Sequence, residues 1–190
     1  MRQAVVDVEK GMDSQQPYVI ANNGNRRFAC SPVAVLVFIV NEREEILLMS
    51  HPDQQGAWEV VNGAMEAEET VLQAALRETH EEAGANLRVR PLGTVHVSTF
   101  HYDENVRYML SVGYLLAYDG GIIQPGDDMH GSEFRWWSLD ELASPKVRLL
   151  IPPGEKWLIE RAVDLYRMWN LKNEFVPSGF DLSVRGKTKK

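Results

Sequence analysis

Three glutamates, Glu78, Glu81 and Glu82, crowd into the stretch RETHEEAG at residues 77–84. The flanking pattern is helical, and residues at i, i+3 and i+4 are neighbours on a helix surface. Glu78 therefore stands beside both other acids. Like charges at this spacing cost about 0.2–0.5 kcal/mol per pair in isolated helices. Glu81 and Glu82 also fall in the last turn, where the helix dipole disfavours carboxylates by roughly 0.3–1 kcal/mol each. Arg77 can pair with Glu81 at i+4 and relieves part of this. A solvated acidic face is the plain reading of such a run. Two local rules broken in one turn favour function instead, and a divalent cation would turn the repulsion into coordination. The donors are all oxygens, and the one nearby histidine, His80, points off the acidic stripe. That suits Mg²⁺ or Mn²⁺ and not zinc. Mg²⁺ shares its shell with waters and substrate phosphates, so a phosphorylated ligand is implied.

A helix must position these acids. Thr70 and Gln73 form a capping box, and Leu72, Ala75, Leu76, Thr79 and Ala83 make one apolar face. Gly84 is a natural terminator, so the helix runs over 71–83. Upstream, PYVIA (17–21) and RRFAC (26–30) flank the turn-prone NNGN and read as a hairpin. PVAVLVFIV (32–40) reads as a central buried strand, EILLMS (45–50) as its antiparallel partner, and HPDQQGAW (51–58) as a loop. Downstream, segments 87–100 and 106–118 make a second hairpin around HYDEN, followed by the loop PGDDMHGS (125–132) and a short strand at EFRWWSL. Ser138 and Glu141 form another capping box for a short helix. Residues 153–171 carry an apolar stripe of Trp157, Ile159, Ala162, Val163, Leu165, Tyr166 and Trp169, the mark of an amphipathic helix that caps the core or forms a dimer contact. A loose arm, or an edge strand around Val5–Val8, is expected at the N-terminus and a frayed basic tail from Lys172. Mixed strands with helices interposed and appended specify an α/β or α+β sandwich.

The chain has 190 residues with a formal net charge of −7. That is enough for one sizeable domain, and the acidic balance argues against a general nucleic-acid coat. Cys30 is the only cysteine, so no intrachain disulfide forms and a reducing, cytoplasmic setting is expected. No apolar run reaches bilayer length, and a membrane role is not expected.

The segment GAMEAEETVLQAALRETHEEAGA, residues 63–85, resembles the Nudix box. Gly63, Glu69, Arg77, Glu78, Glu81, Glu82 and Gly84 occupy its fixed positions, while Thr79 and Ala85 stand where bulkier apolar residues are usual. WEVVNG (58–63) resembles the family's Trp-x-x-Pro-x-Gly approach to the box, with Val61 in the proline position. EFRWWSLDEL resembles a downstream strand and helix of the family. The resemblance implies a Nudix-like α/β/α sandwich over residues 32–145, with a mixed sheet, an arm and hairpin at 1–31, and an extra C-terminal helix and tail at 146–190. It implies a Mg²⁺- or Mn²⁺-dependent hydrolase that cleaves a diphosphate bond in a nucleoside diphosphate linked to another moiety. By the same resemblance, Glu78 and Glu82 are metal ligands and Glu81 is a third ligand or the general base. Arg77 orients the glutamates, and Glu69 supports it through a salt bridge. Gly63 and Gly84 serve the motif's shape.

The base is open among Glu81, Asp103, Glu104, Asp127, Asp128 and Glu133, of which Glu133 is best placed among the later acids. Trp58, Tyr102, Arg107 and Trp136 are the candidates for substrate contact, with Phe100 a further aromatic. Alternation sends one of Trp136 and Trp137 into the core. Tyr102 resembles a hallmark of the diadenosine-polyphosphate branch. WEVVNG resembles equally the ADP-ribose branch, without that branch's prolines. One alternative is a nucleotide-binding or regulatory domain of Nudix fold without turnover. Another is a same-fold isomerase for isoprenoid diphosphates, which needs a catalytic cysteine that Cys30 matches poorly. A homodimer is an expectation.

Overall fold

The computed structural model describes residues 17–21, 24, 26–51, 53–126, 129–150 and 156–170, with the backbone alone at Asn170. The expected strand at Val5–Val8 and the basic tail lie outside the described residues.

β1 (Tyr18–Ile20) and β2 (Arg27–Ala29) form the expected antiparallel hairpin, with Tyr18 opposite Ala29. The main sheet is built on β3 (Val33–Val40), whose eight residues are apolar throughout and alternate between two cores. Val35, Val37 and Ile39 face α1 (Val71–Ala83), and Leu36, Phe38 and Val40 face α3 (Trp157–Asn170). Period-two alternation puts successive side chains on opposite faces, so both faces of β3 need cover. α1 supplies Ala74, Ala75 and Ala83 on one side, and α3 supplies Leu158, Ile159, Ala162, Val163 and Tyr166 on the other. The C-terminal helix is thus the second outer layer of an α+β sandwich, and its apolar stripe is spent on its own sheet.

β8 (Met109–Gly120) runs parallel to β3 from Val33↔Leu110 to Val40↔Ala117, and β7 (Arg88–Phe100) pairs antiparallel with β8 at the sheet edge. β8 begins three residues later than the sequence pattern predicts, because Asp103 Oδ1 accepts from the backbone N–H of Asn105 and Val106, both at 2.7 Å. That Asx-type bonding keeps the chain in a turn.

On the other edge of β3 the expected partner, β4 (Ile46–Ser50), meets it only at Val40↔Ile46. The rest of that edge is taken by β6 (Val61–Ala64), paired from Val37↔Val61 to Ala34↔Ala64. β5 (Ala57–Glu59) pairs instead with β4, at Met49↔Glu59 and Ser50↔Trp58. The chain therefore crosses from one partner strand to the other within Glu59–Val61, and the sheet splits along that line. β9 (Phe134–Trp137) covers the far edge of β4, α2 (Leu139–Leu142) follows behind its capping box, and β10 (Arg148–Leu149) runs parallel to β5.

Candidate functional site

α1 forms where the sequence places it. Thr70 Oγ1 accepts from Gln73 N at 3.3 Å, and Thr70 N donates back to Gln73 Oε1 at 2.8 Å. Thr79 is fully buried, and its hydroxyl donates to Ala75 O at 2.7 Å, which satisfies the one polar group on the apolar face. The helix ends at Ala83 as expected, but its cap takes another form. Gly84 has φ +124° and ψ +135°, not the left-handed helical cap. The loop after β8 closes the end instead: Gln124 N donates to Ala83 O at 2.8 Å and Gly126 N to Glu82 O at 3.1 Å. Those N–H dipoles offset the negative end of the helix, where the acids sit.

Arg77 is the hub. Its Nη1 donates to Glu78 Oε1 and to Glu81 Oε2, both at 2.8 Å. Its Nη2 donates to Glu69 Oε1 and to the Ala64 carbonyl, both at 2.8 Å, and its Nε reaches Glu69 Oε2 at 3.2 Å. The planar fork suits this divergent, bidentate pattern in a way an ammonium does not. Glu69 takes the backbone N–H of Glu66 at 2.5 Å as well. Arg77 and then this N–H hold its carboxyl below the ordinary range. The guanidinium in turn is held above its ordinary range, chiefly by Glu69.

Glu78 is 9% exposed. Its carboxylate lies over Gly63 of β6, where a Cβ would fall 2.0 Å from Oε1. Only glycine leaves that room. Burial pushes the Glu78 carboxyl up, against the opposing pull of Arg77. Glu82 is half-buried, and its Oε2 accepts the backbone N–H of Asn62 at 3.2 Å. Glu81 is half exposed. Gly63, Glu69, Arg77, Glu78, Glu81 and Glu82 are thus brought together between β6 and α1. His80 is not among them: its Nε2 lies 3.3 Å from Leu87 O.

The other predicted residues are scattered around this centre. Trp136 lies on the α1 face of the sheet, 5.1 Å from the Tyr118 ring. Trp137 lies on the α3 face, 5.1 Å from Trp58. Trp58 therefore packs across the sheet from the glutamates. Tyr102 and Arg107 are exposed on the β7–β8 turn, where Tyr102 meets Phe100 at 6.4 Å. Asp103 and Glu104 share that turn. Glu133 is exposed at the start of β9, and its backbone is tied to Ser50 by bonds of 2.7 and 2.8 Å. Asp127 and Asp128 lie outside the described residues. Cys30 is half-buried just after β2.

One acid was not singled out from the sequence. Glu59 ends β5, with Asn62 Nδ2 at 3.3 Å from Oε2 and His51 Nε2 at 3.9 Å from Oε1. Burial raises its carboxyl pKa, opposed by His51 and Asn62. The signal available was a carboxylate inside the otherwise apolar run AWEVV.

The donor set is all oxygen, which fits a hard divalent cation. Among the described residues no three acids or histidines converge closely enough to enclose one, because Arg77 Nη1 stands between Glu78 and Glu81. Coordination by these acids would require their side chains to rotate about Arg77.

A model of the NUDIX domain matches residues 31–158. The chain belongs to the Nudix family. Among curated Nudix relatives, the chain is 30% identical over 122 residues to an NAD-capped RNA hydrolase of Vibrio parahaemolyticus, covering 62% of this chain and 41% of that protein. It is 30% identical over 111 residues to an ADP-ribose pyrophosphatase of Methanocaldococcus jannaschii, covering 57% of this chain and 64% of that protein. The chain thus spans 41% and 64% of the lengths of these two relatives. The crystal structure of an ADP-ribose pyrophosphatase from Streptococcus suis superposes with a TM-score of 0.58 at 22% identity, over 73% of this chain and 93% of that one. At that identity the likeness shows the Nudix fold.

Proposed function

We propose that the chain is a Mg²⁺- or Mn²⁺-dependent pyrophosphohydrolase. Its substrate is a nucleoside diphosphate linked to another moiety: a nucleotide sugar, a dinucleoside polyphosphate or a nucleoside triphosphate. The observation that carries this reading is Glu78, a carboxylate buried over Gly63 and gathered with Glu69 and Glu81 around one guanidinium. A solvated acidic face has no reason to bury its central member. Two relatives, one named as a hydrolase and one as a pyrophosphatase, support turnover.

Glu78 and Glu82, one helical turn apart, would hold the ion, with Glu81 as a third ligand or the base. The bound ion supplies charge neutralisation on the phosphates and a water of lowered pKa. The chain's own part is to orient and to move a proton. Arg77 fixes the carboxylates, and Glu81 or Glu133 takes the proton from the attacking water. Trp58, Trp136, Tyr102 and Arg107 are the proposed substrate contacts, and Trp136 shares a sheet face with α1. The setting we propose is cytoplasmic, in keeping with the free thiol of Cys30. Among the described residues no helix is long and apolar enough to cross a membrane. A homodimer would have to use a face other than the apolar stripe of α3.

A Nudix-fold binding domain without turnover is favoured by one observation, the guanidinium standing between Glu78 and Glu81. A Mg²⁺-dependent screen over nucleoside diphosphate derivatives, read as nucleoside monophosphate released, separates the two, with Glu82→Gln as control. Hydrolysis by the wild type that the folded variant loses supports the enzyme. Equal rates in both refute the metal assignment. Tight nucleotide binding with no hydrolysis supports the binding domain.

A further inference from the structure

The crossing between β5 and β6 sets where Glu82 can sit. Glu59 pairs with β4 and Val61 with β3, so a single residue, Val60, carries the chain between diverging strands. Val60 and Val61 are both 1% exposed and belong to opposite cores. Neither fixes its backbone as a proline would, so the bend needs hydrogen bonds. Asn62 supplies them. Its Nδ2 donates back to Val60 O at 3.0 Å and to Glu59 Oε2 at 3.3 Å. Its backbone N–H points the other way and donates to Glu82 Oε2 at 3.2 Å. One residue therefore grips the bend with its side chain and the glutamate with its main chain.

We infer that Asn62 and Glu59 are a positioning pair: the side-chain contact locks the bend so that the Asn62 N–H orients Glu82 for metal binding. His51, with Nε2 3.9 Å from Glu59 Oε1, buttresses the pair from the β4 side. The inference rests on the reading of Glu82 as a metal ligand. Groups that orient a ligand from behind typically change metal affinity or activity 10–100-fold when lost. Glu59 lies outside the segment 63–85, and it reaches the acidic helix only through Asn62, whose N–H meets Glu82.

Two measurements test it. The first uses metal-free protein and reads amide hydrogen exchange at Asn62. Glu59→Ala leaves that N–H in place but frees the bend, so its exchange should quicken about 10-fold while α1 and β3 amides hold their wild-type protection. Unchanged exchange at Asn62 overturns the inference, whatever the metal does. The second is Mn²⁺ titration followed by electron paramagnetic resonance. Asn62→Ala and Glu59→Ala should each weaken Mn²⁺ about 10-fold, and the double variant should weaken it little further. Glu59→Gln, which keeps an acceptor for Asn62, should stay within about threefold of wild type. Weakening by Glu82→Gln with none by Asn62→Ala overturns the positioning pair. No weakening by Glu82→Gln overturns the metal reading itself, while the exchange measurement still decides the bend.

Discussion

Gly63→Ala is the sharpest perturbation the site offers. The backbone at Gly63 does not have positive φ, so alanine is conformationally allowed there. The added Cβ would stand 2.0 Å from Glu78 Oε1, 2.1 Å from Cδ and 2.5 Å from Oε2. To reach an ordinary contact of 3.4 Å, the carboxylate must retreat by about 1.4 Å. That retreat breaks the 2.8 Å bond to Arg77 Nη1. A hydrogen bond to a charged group is worth about 1.5–3 kcal/mol net. Arg77 keeps Glu69 and Glu81, so the lower end applies. With roughly 2–4 °C of Tm per kcal/mol at this chain length, the melting point should fall by about 3–6 °C. The cost to turnover should be larger, because a misplacement of about 1 Å can cost about 100-fold in rate, near 2.7 kcal/mol in the barrier. The assay pairs thermal unfolding with nucleoside monophosphate release at saturating Mg²⁺. Glu78→Asp added to Gly63→Ala shortens the acid and should recover the melting point without recovering the rate. A Gly63→Ala protein with wild-type Tm and turnover within twofold would refute the reasoning, since Glu78 would not need the space over β6.

Arg77→Lys keeps the charge but loses the fork that reaches Glu69, Glu78, Glu81 and Ala64 O; turnover should fall at least 10-fold with the helix intact by circular dichroism. Burial raises the folded pKa of Glu78 above the ordinary carboxylate value of the unfolded chain. Its contribution to the metal-free protein is therefore fullest below that value and is lost as pH rises through the folded pKa. Denaturant unfolding of metal-free Glu78→Gln should show a flatter fall of stability with pH over that window, and an unchanged slope would contradict it. Thr70→Ala removes the helix cap and should cost about 1 kcal/mol in thermal or urea unfolding, with kcat unchanged because the cap bonds touch none of the acids.

α1 is legible in the sequence because its signals are local. The capping box, the apolar face and the Arg77–Glu81 pair all lie within one helix and appear where spacing puts them. β3 is equally plain, since a strand buried on both faces must be apolar throughout. β6 is not legible. VNGA carries an Asn-Gly pair, both residues depleted in strands, and it is a strand only because the edge of β3 lies open to it. The end of α1 falls at Ala83 as the sequence places it, but its capping is not legible: the groups that satisfy its carbonyls, Gln124 N and Gly126 N, come from beyond β8. In the site, the fixed positions identify which residues gather but not how. That Glu78 occupies the space of a missing Cβ at Gly63, and that Asn62 reaches Glu82, are facts of the β5–β6 crossing. Trp58 and Trp136 show the same limit. Their aromatic character is visible in the sequence, but the register that places them on opposite faces depends on β4.

The central claim is that Glu78 and Glu82 tolerate each other's charge in order to hold a divalent cation. It is tested most directly by equilibrium Mn²⁺ titration of the folded wild type beside Glu78→Gln and Glu82→Gln. Saturable binding by the wild type, weakened at least 10-fold in each variant, is the predicted result. Binding of the same strength in all three proteins, or none in any, would contradict it.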